Sequence, residues 1–424
     1  MAAPETPSSP PSSPGTAYFD SDDASPCSSP CSSGFPSTSP SSIVPWCDVG
    51  PQYLTQDLLA HGADELHQLH NVQAQLSSTS TEDEGLALHE KKVAANASAR
   101  HNRYWFFKMK SVMREIDHQT NCIPRKDPLR FLDLGCSPGG FTSYILSKNL
   151  FAQGHGISSE IEHGGHRFLL EDRHRARFKI SYADLAYYRL GPLPAPVASA
   201  PASAETPMRS LAALPFDTNK RFDLVLLDGY PLRHTPDADR RLVAQLIVGL
   251  QYLKTGGKLI IKLAEPAHAA TAKLLFMLDG LSSSGSGSAE ARGLTTYKPY
   301  ALHATRSTFY AIAQGVGAAC PELPILIEKL KDLWVDLTIG GEDGTGRPLC
   351  EEDLDFVVTT KELQQPAHLA RLAELGRRVW EVQGRALAGI PEPPLVCEQV
   401  AASTCHGHGG DEAFVPAARG IVVV

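Results

Sequence analysis

Short apolar runs alternate with helical patterns between Arg130 and Ala313, and few architectures accommodate that alternation. The runs are Phe131–Leu134, Ala152–Ile157, Arg177–Ile180, Phe222–Leu227 and Lys258–Leu263, then Leu294–Lys298 and Thr308–Ala313. Helical patterns occupy Thr142–Asn149, Ala238–Leu253 and Thr271–Leu278, and Thr255-Gly-Gly257 reads as a helix stop. Strands joined by helices build a largely parallel sheet covered on both faces. The last two runs leave no room for a helix between them, which predicts an antiparallel pair at one edge. The expected class is α/β, doubly wound, with seven strands.

Around this body the composition changes. Residues 1–45 are dominated by Ser and Pro and bury too little apolar surface to offset ordering, so they read as a disordered tail. Residues 46–94 form a helical extension, with Leu54, Leu58, Leu59, Leu66 and Leu69 at helical spacing. A further helical pattern runs from Leu86 to Ile116. The α/β domain is assigned to 95–318, with loop insertions at 191–217 and 281–290. A helical appendage at 319–390 contains Leu323–Trp334 and Gln365–Val382 around a Gly-rich break, Gly340–Gly346. Residues 391–424 read as a flexible tail.

The chain has 424 residues, 42% of them hydrophobic, and a formal net charge of -8. That acidity excludes a uniformly basic nucleic-acid coat but allows a local basic cleft. No apolar run is long enough for a membrane span, so no membrane partner is expected. The start carries no secretory pattern, and Asp20, Asp22 and Asp23 without Arg oppose a mitochondrial leader. Scattered cysteines point to a reducing compartment, so the expected location is intracellular, cytoplasmic or nuclear. Cys27 and Cys31 lack a second pair, and Thr404-Cys-His-Gly-His408 reads as a polar tail, so no metal site is expected. Oligomeric state is not readable.

Chemistry is expected at the strand ends. Arg130-Phe-Leu-Asp-Leu-Gly-Cys-Ser-Pro-Gly-Gly-Phe141 is a strand, a Gly-rich turn and the start of a helix. Such a turn offers backbone N–H groups at the sheet edge where open α/β sheets bind ligands. It also serves as a tight turn without a ligand. Asp133, Gly135, Cys136, Ser137, Pro138, Gly139, Gly140 and Phe141 are the candidate pocket residues. Glu160 follows the second strand, Asp184 the third and Asp228 the fourth. A nucleoside ligand would use acceptors at such positions, although Glu160 and Asp184 equally suit helix starts.

Leu132-Asp-Leu-Gly-Cys-Ser-Pro-Gly-Gly-Phe141 resembles motif I of the FtsJ-like RNA ribose 2′-O-methyltransferases, with Pro138 before the paired glycines as the distinguishing residue. The resemblance spans roughly residues 95–315 and extends to fungal proteins carrying such a domain between variable tails. It implies a Rossmann-like methyltransferase sheet, S-adenosyl-L-methionine as cofactor and RNA as substrate. It also implies a Lys-Asp-Lys-Glu tetrad. Lys108 in Phe107-Lys-Met109, Asp228 in Leu227-Asp-Gly229 and Lys262 in Ile261-Lys-Leu263 match three members. Thr308 stands where the family has its glutamate.

A ribose hydroxyl is a poor nucleophile at neutral pH. Lys262 beside Asp228 can orient it and take its proton, with Lys108 in support. Thr308 brings no charge, so the expected outcomes are a slower enzyme, one in which another carboxylate such as Glu265 substitutes, or a domain that only binds. A methyltransferase for small molecules or proteins is the third reading, prompted by the acidic charge. For RNA, Arg100–Arg130 holds eight Lys or Arg against three acids, with Tyr104, Trp105, Phe106 and Phe107 among them. Arg167, Arg173, Arg175, Arg177 and Lys179 form a second cluster. These charges suit a phosphate backbone, but the aromatics fit a core slightly better than a stacking platform.

Overall fold

The computed structural model describes residues 54–77, 99–161, 165–192, 211–229, 238–283, 293–318, 320–341 and 346–390. The expected tails 1–45 and 391–424 lie outside the described residues. So do 78–98, most of both loop insertions and Thr404–His408. What is described belongs to one compact unit.

Seven strands form one sheet: β1 Arg130–Leu134, β2 Gln153–Ser158, β3 Phe178–Tyr182, β4 Phe222–Leu227, β5 Leu253–Ala264, β6 Leu294–Tyr297 and β7 Thr308–Val316. Their order is β3-β2-β1-β4-β5-β7-β6. The first five are parallel, and β7 runs antiparallel to both β5 and β6. The helices are α1 Thr55–Ala60, α2 Asp64–Ser77, α3 Ala99–Thr120, α4 Gly140–Lys148, α5 Asp172–Arg175, α6 Ala238–Tyr252, α7 Ala269–Leu281, α8 Leu323–Ile339, α9 Thr360–Leu363 and α10 Pro366–Leu387. The expected class is therefore present, a Rossmann-like sheet with an antiparallel edge pair.

Three local expectations change. The pattern at 54–76 is two helices, because Gly62 takes a left-handed φ of 79° between them. Thr255-Gly-Gly257 is not a helix stop: α6 passes directly into β5, and Gly256 (φ 78°) sits inside the strand next to a register shift. Helix α3 begins at Ala99 among the described residues and continues past Ile116 to Thr120.

Alternation along each strand divides the sheet into two faces. Leu132, Leu134, Val225, Leu227, Leu259 and Ile261 pack into one large core with α6, α7 and α8. That core also takes in Leu54 before α1, Leu58 of α1, Leu66 and Leu69 of α2, and Val379 and Trp380 of α10. The N-terminal extension and the C-terminal appendage are thus one layer on one face. Gly384 of α10 faces Leu69 of α2, where an added Cβ would make ordinary van der Waals contact, 3.6 Å from Leu69 Cα. The other face is thinner. Phe131, Leu224, Leu226, Ile260, Tyr310 and Ile312 pack against Val112, Met113 and Ile116 of α3 and Ile145 of α4. Each buried Leu or Ile contributes about 2 kcal/mol on this count. The strand positions of this thinner layer carry the polar residues at the carboxyl ends.

Candidate active site

At its end β1 runs into the Gly-rich turn. Gly135 (φ 88°) lies against the backbone after β4, where a Cβ would come within 2.3 Å of Gly229 Cα. The Asp228 N–H donates to the Leu134 carbonyl at 2.9 Å, so the ends of β1 and β4 are tied together. Gly139 (φ 104°) precedes α4 in a left-handed conformation. Gly140 meets α3: a Cβ there would be 2.5 Å from the Phe106 carbonyl oxygen and 2.6 Å from the Lys110 nitrogen. In sequence these glycines suit both ligand approach and a positive φ, and Gly135 and Gly139 take such a φ. For Gly135 and Gly140 the requirement is close contact between backbones.

A narrow cavity of about 10 Å³ opens above this turn, lined by Asp133, Asp228, Met109 and residues Cys136 to Pro138. Asp133 Oδ2 accepts from the Thr142 hydroxyl at 2.7 Å. Its Oδ1 is buried with no hydrogen-bond partner, and so is Ser137 Oγ. Burial pushes the Asp133 carboxyl up to about 7, against the Thr142 hydrogen bond, and the Asp228 charge adds to the rise. Buried polar atoms in native proteins nearly always find partners. Two orphans at one cavity fit a bound group that offers donors there. Cys136 is a wall: its Sγ would stand 2.6 Å from a Cβ at Gly156, and burial raises its thiol well above the ordinary value. Phe141 is buried, its ring 5.8 Å from that of Tyr310.

Beside the cavity, Lys262 Nζ stands 2.8 Å from Asp228 Oδ1 and donates to the Asp228 carbonyl at 2.8 Å. Tyr310, directly opposite Lys262 in the β5–β7 register, donates its hydroxyl to Asp228 Oδ1 at 3.3 Å. Tyr310 is fully buried, and desolvation together with Asp228 raises its phenol far above the ordinary value. Sequence reading missed Tyr310. The period of two places it on the same sheet face as Lys262, which is the signal that could have found it.

Thr308 lies on that face two residues before Tyr310 and is fully buried, but its Oγ1 has no partner. Its carbonyl instead accepts from Lys298 Nζ at 2.8 Å, and Lys298 also bonds the Arg306 carbonyl. Burial lowers the Lys298 ammonium to about 7, with the Glu265 charge opposing. Glu265 is therefore near enough to act on Lys298. His303 (φ 71°) packs near Tyr310, ring centroids 6.4 Å apart, and burial with Lys262, Arg306 and Lys298 depresses its imidazole to about 3.

The remaining expected residues are not brought to this point. Lys108 lies over the Tyr104 ring, Nζ 5.6 Å from the centroid, and makes no ion pair or hydrogen bond among the described residues. Its neighbour Met109 lines the cavity instead. Asp184 caps the short 3₁₀ turn Leu185–Tyr187 through the Ala186 N–H at 2.9 Å. It also accepts from Arg241 Nε and Nη2, at 2.8 and 2.5 Å. Glu160 is exposed on the loop after β2.

The basic stretches divide. Arg177 is structural: its guanidinium donates to the carbonyls of Leu146, Asn149, Leu150 and Ala152 at 2.8 to 3.3 Å. Arg175 pairs locally with Asp172. In the aromatic run Phe106 is core, as expected, whereas Tyr104 and Phe107 are 52% and 57% exposed.

Residues 107–282 match the model of the FtsJ-like methyltransferase family. The chain carries a domain of that family. The FtsJ-like segment holds Lys108, motif I, Asp228 and Lys262 and ends before β6, so Tyr310 and Thr308 lie beyond it. No curated protein matches the chain. Among solved structures, one described as a ribosomal RNA methyltransferase of Plasmodium falciparum is 16% identical, covering 48% of this chain and 94% of its own, TM-score 0.30. S-adenosylmethionine-bound CalS10, an amino pentose methyltransferase from Micromonospora echinaspora, is 15% identical over 41% of this chain and 55% of its own, TM-score 0.22. Haemonchus contortus phosphoethanolamine N-methyltransferase 1 is 10% identical over 59% and 53%, TM-score 0.33. Among the described residues no helix is long and apolar enough to cross a membrane.

Proposed function

We propose that this chain transfers a methyl group from S-adenosyl-L-methionine to a ribose 2′-oxygen of RNA. The observation that carries the reading is the Lys262–Asp228 pair beside a cavity whose Asp133 Oδ1 lacks a partner. Asp133 and Ser137 would hold the methionine part of the donor, on the turn from Gly135 to Phe141. Glu160 and Asp184 would face its nucleoside, Asp184 with oxygen lone pairs to spare beyond its Arg241 bonds. When bound, the donor supplies an electrophilic methyl group on a sulfonium.

The chain's own residues prepare the oxygen that accepts it. Asp228 is fixed by Lys262 and by Tyr310, so it can hold the hydroxyl in one orientation. Positioning of this kind accounts for a large share of catalysis by a bound pair. The departing proton passes to the Lys262–Asp228 pair. Lys108 reaches the oxygen only by turning away from Tyr104, and Glu265 is the carboxylate available in place of one at Thr308. Tyr104 and Phe107, exposed on the helix that carries Met109 into the cavity, suit stacking of RNA bases. Such a substrate implies an intracellular site of action, cytoplasmic or nuclear.

A second reading, an RNA- or cofactor-binding domain without catalysis, is favoured by the uncharged Thr308. Purified full-length protein, labelled donor and capped, ribosomal and transfer RNA separate the two. Transfer to a 2′-oxygen, lost in Lys262→Ala, is the expected result. Donor binding with no transfer to any RNA overturns the enzyme reading.

A further inference from the structure

We propose that the cavity at the amino-terminal edge of the sheet, between Arg130, Lys179 and Lys220 and the wall of Phe216, is a second ligand site that takes a phosphorylated nucleoside. The cavity measures about 630 Å³, within the roughly 300–1,000 Å³ of small-molecule sites. Parallel register builds it. Arg130 and Gln153 open β1 and β2 side by side, and Lys179 of β3 stands beside His155 of β2. The segment Leu214–Asp217 lines one side of it.

One side of the cavity is cationic. The Arg130 guanidinium and the Lys179 ammonium make no hydrogen bond or ion pair among the described residues. Among the described residues the Lys220 ammonium meets only Asp217, at 3.9 Å with both side chains about half exposed, a contact of little strength. Asp223 is turned to the Arg130 N–H at 2.9 Å and to Lys254, so it does not neutralise the cavity. Three cations against one carboxylate favour an anion, and phosphate oxygens suit both the guanidinium fork and the ammonium groups.

The other side is apolar and aromatic. Phe216 packs edgewise with His155, Phe222 and Tyr252, ring centroids 5.5, 5.6 and 5.1 Å apart. Leu214 and Pro215 extend that wall. His155 adds no charge to it: burial, Lys179 and Lys220 depress its imidazole to about 4. A ligand with an anionic end and a flat aromatic end matches both sides. The methyl donor does not, since its sulfonium is repelled by three cations. Asp133 and Lys262 also stand near the carboxyl ends of their strands, at the opposite edge of the sheet. The inference is therefore independent of the proposed reaction.

The test is calorimetric titration of the full chain with ADP, with and without saturating S-adenosylhomocysteine. Adenosine and pyrophosphate are separate arms. Expected is ADP binding that S-adenosylhomocysteine and Lys262→Ala leave unchanged. Arg130→Ala and Lys179→Ala should each weaken it about tenfold, as loss of a charge-assisted bond does. Lys179→Arg should retain it, which separates lost charge from lost fold. Absence of ADP binding at millimolar concentration, displacement by S-adenosylhomocysteine, or unchanged affinity in both alanine variants overturns the site. Pyrophosphate binding as tightly as ADP overturns the nucleoside assignment.

Discussion

Lys262 and Tyr310 face each other across the β5–β7 register, and both reach the same oxygen of Asp228. The carboxylate is therefore held from two strands at once. Tyr310→Phe keeps the ring and removes one bond of 3.3 Å. Methyl transfer should fall by up to about tenfold, with folding stability within about 1 kcal/mol of the parent. Lys262→Ala should cost on the order of a hundredfold or more in kcat, because it removes the proton-handling group itself. Single-turnover rates would decide, and a larger loss from Tyr310→Phe than from Lys262→Ala would reverse these roles.

Asp133 makes a prediction about pH. Its carboxyl lies at about 7 in the folded protein against an ordinary aspartate value of 3.8, which stands for the unfolded chain. Between those values the folded state binds more protons than the unfolded one, so the stability this residue contributes falls as pH rises across that window. Asp133→Asn should gain on the wild type by on the order of a few kcal/mol between about pH 4 and pH 7.5. Urea denaturation of both proteins across that range measures it. A difference that does not change with pH would refute the account. S-adenosylhomocysteine should shrink the gain, because an ammonium beside Oδ1 favours the charged form.

Thr308 tests whether its hydroxyl does anything. Oγ1 is buried and unpartnered, and what the residue gives Lys298 is its backbone carbonyl. Thr308→Val keeps the shape and the carbonyl. It should leave stability equal or up to about 1 kcal/mol higher, since an unsatisfied hydroxyl is removed. Transfer activity should be unchanged. A loss of activity with unchanged stability would show that the hydroxyl acts on the reaction.

The glycines of the turn predict a graded series. Gly135→Ala meets the Gly229 backbone at 2.3 Å and also strains a φ of 88°. Gly140→Ala meets the Phe106 carbonyl at 2.5 Å with no such strain. Both should destabilise by about 2 kcal/mol or more, Gly135→Ala the more, by thermal melting. A neutral Gly140→Ala would mean that α3 crosses the turn less closely.

The strands were legible because buried parallel strands leave continuous apolar runs, and the edge pair because no helix fits between Lys298 and Thr308, whereas the order of strands across the sheet was not read from the sequence. Asp228 and Lys262 were legible because a charge at the end of an apolar run must find a partner. Tyr310 was not, since an aromatic residue in a strand looks like any other core residue until the register sets it opposite Lys262. Arg177 was misread for a related reason. Composition counts it with its basic neighbours, but four carbonyls at the end of α4 claim its guanidinium. Lys108 shows the converse: its local context matches the family, yet its side chain rests on Tyr104.

The family match stops at residue 282, while the sheet continues through β6 and β7. β7 is the neighbour that hydrogen-bonds β5 on the side away from β4. A polypeptide trimmed to the matched segment would turn β5 into an open border strand, baring the backbone groups on either side of Lys262. Open borders of that kind recruit other chains. Such a fragment would lose Tyr310 and become prone to self-association, so a failed assay on it would report on a missing strand rather than on missing chemistry.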